Sequence, residues 1–336
     1  MHRIGAVLVS VVASAAAASA APFGLVLSGG GAKGAYEVGV WQTLEKTGLA
    51  SNVVAISGTS VGALNAALFA TRPDSAEPLW LERMGEVFTL NTNRVGESIQ
   101  KTVDDASRAV EVAEETGKDW KGVASFLLAS LVRLAGDYAE TVASPEKRIG
   151  YIDSSKLAVA LDKSLPKEWP TSAPIAYATA VEKGGNGVSA TWRLNNEPHD
   201  RRILMLRASA AIPLGYDTVD IDGKTYVDGG WEWERQGQCG DNAPLAPILE
   251  NHPEIKTVIV VYLNDERHLD QKRRKKNLQM AKSAGVKLIE IIPSENIGGA
   301  FGWHGVFDAS SETARHLIEL GRRDAERVLR EERLIE

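Results

Sequence analysis

The sequence predicts an α/β protein: a three-layer α/β/α sandwich around a mainly parallel central sheet, carrying a helical insertion. Three observations predict it. Between Phe23 and Thr71 an apolar run, a glycine-rich turn and a helical pattern follow one another twice. Two further apolar runs, Lys256–Leu263 and Val286–Ile292, are separated by a basic helical stretch. An amphipathic pattern over Ser310–Leu329 closes the chain. Strand, helix, strand, helix in close succession makes a parallel, right-handed unit.

Each element has a local reason. Phe23-Gly24-Leu25-Val26-Leu27 and Val53-Val54-Ala55-Ile56 are short, wholly apolar runs, the pattern of strands buried on both faces. Lys33–Thr47 carries Val38, Trp41 and Leu44 at helical spacing, and Gly48 is placed to end that helix. Ser60–Ala70 is small and apolar throughout, so this helix is expected to lie buried behind the sheet. Residues 75–150 differ: charged positions are frequent, and apolar residues recur at helical spacing in Ala124–Leu134. They read as a mainly helical insertion, either a packing layer over the sheet or a cap over a site. Ile175–Val181 and Val188–Leu194 bracket Lys183-Gly184-Gly185-Asn186-Gly187, and Asp217–Ile221 and Lys224–Val227 bracket Asp222-Gly223. Both arrangements predict hairpins.

The chain has 336 residues, 44% hydrophobic and 24% charged, enough for a sizeable core. A net charge of -6 gives no footprint for nucleic acid. The single cysteine, Cys239, excludes an intramolecular disulfide and a cysteine-based metal site. Residues 1–20 have a basic start, a short apolar stretch and Ala18-Ser19-Ala20, a small-x-small cleavage pattern. They read as a signal peptide cut after Ala20, which makes the mature protein, 21–336, secreted or periplasmic. The alternative is an uncleaved N-terminal membrane anchor.

The chemistry sits in the glycine turns. Ser60 is the centre of Gly58-Thr59-Ser60-Val61-Gly62, a G-x-S-x-G turn. A sharp strand-to-helix turn needs Gly58 and Gly62 because side chains there would collide, and it exposes a serine hydroxyl at a helix N-terminus. In Gly29-Gly30-Gly31-Ala32-Lys33-Gly34 successive backbone N–H groups can converge on an anion. Gly29, Gly30, Gly31 and Ala32 are therefore the candidate oxyanion hole. Lys33 either adds charge or faces solvent, and the backbone is the favoured donor. Gly29, Gly31 and Gly34 also fit G-x-G-x-x-G, but the second strand ends in Ile56-Ser57-Gly58, without the acid a dinucleotide ribose requires.

A serine nucleophile needs a base. Of six histidines, only His304, in Phe301-Gly302-Trp303-His304-Gly305, lies in a glycine-rich loop. Asp228, in Tyr226-Val227-Asp228-Gly229-Gly230, ends a strand on an unobstructed turn, where sites of open α/β sheets gather.

The set Gly29–Ala35, Gly58–Gly62 and Asp228-Gly229-Gly230, with Arg207-Ala208-Ser209-Ala210-Ala211-Ile212-Pro213, resembles the patatin-like phospholipase family from Phe23 to about Ile248. The resemblance implies a Ser-Asp dyad without histidine: Ser60 the nucleophile, Asp228 the base, and amides around Gly30, Gly31 and Ala32 for the oxyanion. It implies hydrolysis of phospholipid or another lipid ester through an acyl-enzyme, without metal or organic cofactor. One departure stands out: Trp231–Gly240 intervenes before Asp241-Asn242-Ala243-Pro244, where the family pattern brings Asn-x-Pro within a few residues. A carboxylate with a pKa of about 4 is a poor base for a hydroxyl, so the dyad requires a desolvated aspartate, helped by Tyr226 and Val227. Two rivals remain, a soluble esterase pairing Ser60 with His304 and a lipid-binding module without activity. Lys272-Arg273-Arg274-Lys275-Lys276 reads as a solvated helix face or as a contact for anionic headgroups, and Trp231 and Trp233 as loop packing or peripheral membrane contact.

Overall fold

The computed structural model describes residues 21–88, 152–184, 189–213, 215–231, 240–298, 306 and 308–336. The expectations for residues 1–20, Cys239, Trp233, His304 and most of the insertion, 89–150, lie outside the described residues.

The first half runs β1 (Phe23–Leu27), α1 (Ala35–Lys46), β2 (Val53–Thr59), α2 (Val61–Thr71), α3 (Ala76–Glu82), α4 (Met84–Val87) and α5 (Ser154–Ser164). Then come β3 (Ile175–Glu182), β4 (Ser189–Arg193), α6 (His199–Ser209), β5 (Val219–Ile221) and β6 (Lys224–Asp228). α7 (Ala246–Asn251), β7 (Thr257–Val261), α8 (Gln271–Ser283), β8 (Lys287–Ile291) and α9 (Ser311–Glu331) complete it. The strands form one sheet in the order β5-β6-β3-β2-β1-β7-β8, with β4 also paired to β3. Parallel pairings join β3, β2, β1, β7 and β8, and antiparallel pairings add β4 and β6 to β3 and β5 to β6.

Period-two alternation sorts the central strands into two cores, making three layers. Leu25, Leu27, Ile56, Ile259 and Val261 pack with α1, α2, α6 and α9, whereas Val26, Ala55, Val258 and Val260 pack with α7 and α8. The Asp222-Gly223 turn closes β5–β6 with both residues left-handed (φ 52 and 77), as a two-residue hairpin of that sequence requires. α2 is buried from Val61 to Ala70, as its composition predicts. β2 runs to Thr59, one residue beyond the Ile56-Ser57-Gly58 end read from the sequence, and Gly58 pairs with Leu27 and Ala178.

α1 and α9 cross with their backbones almost touching. A Cβ on Gly39 would stand 1.9 Å from the Ile318 carbonyl oxygen, and one on Gly321 would stand 2.1 Å from that of Tyr36. The Tyr36 hydroxyl donates to Asp324 Oδ2 at 3.1 Å beside this crossing. Alanine is the better helix former by about 1 kcal/mol, yet no rotamer moves a Cβ away from backbone. Gly39→Ala is therefore expected to lower stability by a net ~1–3 kcal/mol, read as a fall in melting temperature. An unchanged or raised melting temperature would disprove the close crossing.

Candidate active site

The register of β3 explains how two residues far apart in sequence meet. Tyr177, Ala178 and Thr179 pair with both β2 and β4, so these strands occupy opposite edges of β3. Ala180 and Val181 pair with both β4 and β6, so β6 takes the edge that β2 has just left. β2 makes its last pair at Thr59↔Thr179, and β6 ends at Asp228↔Ala180, one residue on. β2 and β6 therefore abut end to end, placing Ser60 against Asp228.

Ser60 adopts φ 55, ψ −126, a conformation that L-residues rarely take. The turn is tight enough that a Cβ on Gly58 would meet Gly62 C at 2.3 Å, and one on Gly62 would meet the Leu27 carbonyl oxygen at 2.4 Å. That is the steric need inferred from the motif. The Ser60 amide donates to Ser209 Oγ (2.8 Å), and the Ser209 hydroxyl donates to the Thr179 carbonyl (2.6 Å). Ser209 also accepts the Gly229 amide on its carbonyl at 3.2 Å. One buried serine thus ties the turn, β3 and the aspartate loop together. Ser209 is a residue that no motif singled out for a role, and the small-residue segment Ala208-Ser209-Ala210 is its signal in the sequence.

Asp228 is 5% exposed. Its amide donates to the Ala211 carbonyl at 2.9 Å, and its Oδ1 accepts the Gly230 amide at 2.8 Å. Oδ2 is buried without a partner at full hydrogen-bond geometry, and the Ser60 hydroxyl lies near enough to act on the carboxyl. Burial pushes the Asp228 carboxyl up to about 6, against the opposing pull of Ser60, the Gly230 amide and the Arg273 charge. The desolvation expected from the Tyr226-Val227 approach is present, since both are buried.

The first glycine turn faces this pair. Gly29, expected among the oxyanion donors, has its amide engaged by the Asn242 carbonyl at 3.0 Å, while Asn242 Nδ2 donates to the Gly29 carbonyl at 3.1 Å. The amides of Gly30, Gly31 and Ala32 make no hydrogen bond among the described residues. Gly30 and Gly31 line the cavity, and Ala32 is buried behind them. Gly31 is left-handed (φ 60), and Gly34 packs where a Cβ would meet Val61 Cγ2 at 2.4 Å. Gly229 and Gly230 likewise have no room for a Cβ, with Thr179 O at 2.1 Å and Asn242 Oδ1 at 2.4 Å. Asn242 therefore reaches the site despite the intervening Trp231–Gly240 stretch, helped by the Asp241 amide donating to Gly229 O at 2.7 Å.

Lys33 does not face solvent: it is 3% exposed, and its Nζ donates to Asn264 Oδ1 at 2.7 Å. Burial lowers its pKa to about 8, with Asp265 opposing. The basic run on α8 is only partly a solvated face. Lys272, Lys275 and Lys276 are exposed, whereas Arg273 lines the cavity and donates to the Gly230 carbonyl at 3.0 Å, and Arg274 pairs with Glu290 at 2.8 Å.

These residues bound a cavity of about 390 Å³. Leu64, Met84, Val87, Phe88, Leu157 and Tyr216 give one end an apolar wall. The start of the predicted insertion thus contributes to both readings: Leu79 and Trp80 pack in the core, and Met84, Val87 and Phe88 wall the cavity. His268 also lines the cavity, with its Nδ1 against Asp265 Oδ1 at 2.5 Å. Among the described residues no hydrogen bond joins His268 to Ser60.

A glycine turn, a strained serine and an aspartate in one cavity are the arrangement that the sequence motifs imply. A family model described as patatin-like phospholipase matches residues 25–249. The chain belongs to the patatin-like phospholipase family. A curated relative, lysophospholipase nte1 of Aspergillus terreus, is 51% identical over 51 residues, which is 15% of this chain and only 3% of that protein's length. Among solved structures the chain is similar to VipD from Legionella pneumophila, with 14% identity and a TM-score of 0.42 over 92% of this chain and 67% of that one. It is also similar to human GIVD cytosolic phospholipase A2, with 10% identity and a TM-score of 0.45 over 92% of this chain and 59% of that one.

Proposed function

We propose that this patatin-like protein is a lipid acyl hydrolase of the phospholipase A or lysophospholipase type, acting through Ser60 and Asp228. The family match and the lysophospholipase relative support lipid ester hydrolysis. The observation that carries the mechanism is the end-to-end meeting of β2 and β6, which sets the Ser60 hydroxyl beside a buried carboxyl in a cavity with one apolar end.

In this reading Ser60 Oγ attacks the ester carbonyl as its proton passes to Asp228 Oδ2. The oxyanion forms against the amides of Gly30 and Gly31, each worth roughly 3–4 kcal/mol in the transition state. Asp228 then gives the proton to the leaving alcohol, and afterwards takes one from the water that cleaves the acyl-serine. The raised Asp228 pKa suits both steps, since the group is ionised at neutral pH yet readily protonated in the transition state. The fatty acyl chain occupies the Leu64–Phe88 wall. The protein works peripherally on lipid surfaces outside the cytoplasm, following the pattern of residues 1–20.

An alkyl fluorophosphonate tests the nucleophile directly. The expected result is a single adduct on the peptide carrying Ser60, blocked by prior incubation with substrate. An intact protein that stays unlabelled at Ser60 would leave only the lipid-binding alternative.

A further inference from the structure

The Asp228 turn opens directly onto the stretch where this chain departs from its family's pattern. The Trp231 amide donates to the Asp228 carbonyl at 3.1 Å, closing a turn over Asp228-Gly229-Gly230-Trp231. The chain leaves there and is back at Gly240, where a Cβ would stand 2.4 Å from the Trp231 carbonyl oxygen. The Asp241 amide then donates to the Gly229 carbonyl at 2.7 Å. Trp231–Gly240 is thus an excursion whose two ends meet, and Asp228 sits at its neck.

One helix holds both ends. α8 lies beyond the matched region 25–249. One helical turn apart on it, Arg273 Nη2 donates to the Gly230 carbonyl at 3.0 Å and Asn277 Nδ2 donates to the Ala243 carbonyl at 2.9 Å. The second bond secures the neighbour of Asn242, which holds Gly29 through its own carbonyl and side chain. The first secures the residue whose amide Asp228 Oδ1 accepts at 2.8 Å. With glycine at 229 and 230 the turn is held through its backbone, and the bond to the Gly230 carbonyl is the charge-assisted one. Arg273 is itself braced. Its Nε meets Asp270 Oδ2 at 3.2 Å, while Asp270 Oδ1 caps α8 by accepting the amides of Lys272 and Arg273 at 3.0 and 3.1 Å. A guanidinium is a planar fork, so fastening two of its edges fixes its place. Of the charged groups about the turn, Lys33 is set against Asn264 and Asp265, and His268 against Asp265. Burial pushes the Asp241 carboxyl up, opposed by Lys276 and Arg273. Among the described residues Arg273 is the charge that acts on Asp228.

We propose that Arg273 is a positioning residue for ester hydrolysis: reaching from α8 to Gly230, it holds the Asp228 carboxyl against Ser60 at the neck of the Trp231–Gly240 excursion and keeps a positive charge beside it. For turnover this role rests on the Ser60–Asp228 reading.

The test uses p-nitrophenyl butyrate, a small neutral ester, so that headgroup contacts play no part. Arg273→Met is expected to lower kcat about tenfold or more, with KM within about threefold. It should also move the acid limb of the kcat/KM profile to higher pH, because the carboxylate loses a stabilising charge. Arg273→Lys should return the limb towards its wild-type position, because it keeps the charge, and recover kcat only in part, because an ammonium lacks the fork. Arg273→Gln carries the same expectations where Arg273→Met does not fold. Gly39→Ala, destabilised at the α1–α9 crossing, should keep both kcat and the limb, which separates positioning from loss of stability. A kcat within about twofold of wild type, or a lower kcat with an unmoved limb, overturns the proposal, and a rise in KM alone overturns it in favour of substrate binding. A double-mutant cycle reads the same contact without substrate. The gain in melting temperature from Asp228→Asn at pH 7 should be larger in the Arg273→Met background, where the buried carboxylate has lost its opposing charge. Equal gains overturn the proposal. A larger gain alongside wild-type turnover by Asp228→Asn would uphold the link between Arg273 and Asp228 and refute the dyad.

Discussion

Ser60→Ala and Asp228→Asn are each expected to lower kcat for ester hydrolysis by about 10³-fold or more, and only the second is expected to stabilise the protein. The stability half follows from burial. Raising the Asp228 carboxyl from its ordinary 3.8 to about 6 means that, at neutral pH, the folded protein carries an ionised group it would rather hold protonated. The folded-state pKa is the higher one, so the contribution to stability is full below pH 3.8 and is lost as pH rises through 6. That loss is worth ~3 kcal/mol at pH 7. Asparagine keeps an oxygen for the Gly230 amide, which Asp228 Oδ1 accepts at 2.8 Å, and removes the charge. The melting temperature of Asp228→Asn should therefore exceed that of the wild type by about 5 °C or more at pH 7, and by little near pH 4.

The activity half has its own pH signature. A base must be ionised, so kcat/KM of the wild type should fall about tenfold per unit below pH 6. Wild-type turnover by Asp228→Asn would end the dyad, and a stabilisation equal at pH 4 and pH 7 would end the account of the buried charge. In the proposed mechanism function and stability are opposed, because the property that would make this aspartate a usable base is the one that makes it costly to bury.

Much of this was legible in the sequence because it is local. Apolar runs bounded by turn residues mark the strands, Asp222-Gly223 has its own backbone requirement, and Gly58 and Gly62 announce a turn too tight for side chains. The pairing of Ser60 with Asp228 could be named from motifs, but its cause could not. It depends on β2 and β6 sharing one edge of β3, and register between distant strands is a tertiary property.

Arg273 departs from its neighbours in the basic run, and α8 carries a signal for it. Arg273, Asn277 and Ala281 recur at a spacing of four, and Asn277 and Ala281 are buried, with Asn277 Nδ2 donating to the Ala243 carbonyl at 2.9 Å. That stripe faces inward and takes Arg273 with it, whereas Lys272, Lys275 and Lys276 point away. A run of like charges invites one explanation for every member, and a helix divides it between two. Lys33 was uncertain for the opposite reason. Nothing next to it in sequence predicts burial, and Asn264 and Asp265 come from the turn after β7, which neighbours β1 in the sheet but lies far from Lys33 in the chain.

Ser209→Ala carries the second large effect, because it cuts the join between the elements that hold Ser60 and Asp228. The substitution leaves the Ser60 amide without its 2.8 Å acceptor and the Thr179 carbonyl without its 2.6 Å donor, both buried. Each orphaned group costs about 1–3 kcal/mol, so a stability loss of ~2–4 kcal/mol is expected. The Ser60 amide bond also fixes a residue held at φ 55, a conformation that relaxes once its surroundings stop enforcing it. Relaxation swings the hydroxyl away from Asp228 and from the Gly30 and Gly31 amides, and small displacements of a nucleophile are expensive. Turnover should fall about 10- to 100-fold with KM little changed, since Ser209 does not line the cavity. Fluorophosphonate labelling of Ser60 should slow by a similar factor. A variant that melts like the wild type and labels at the wild-type rate would show that the strained serine needs no such tether.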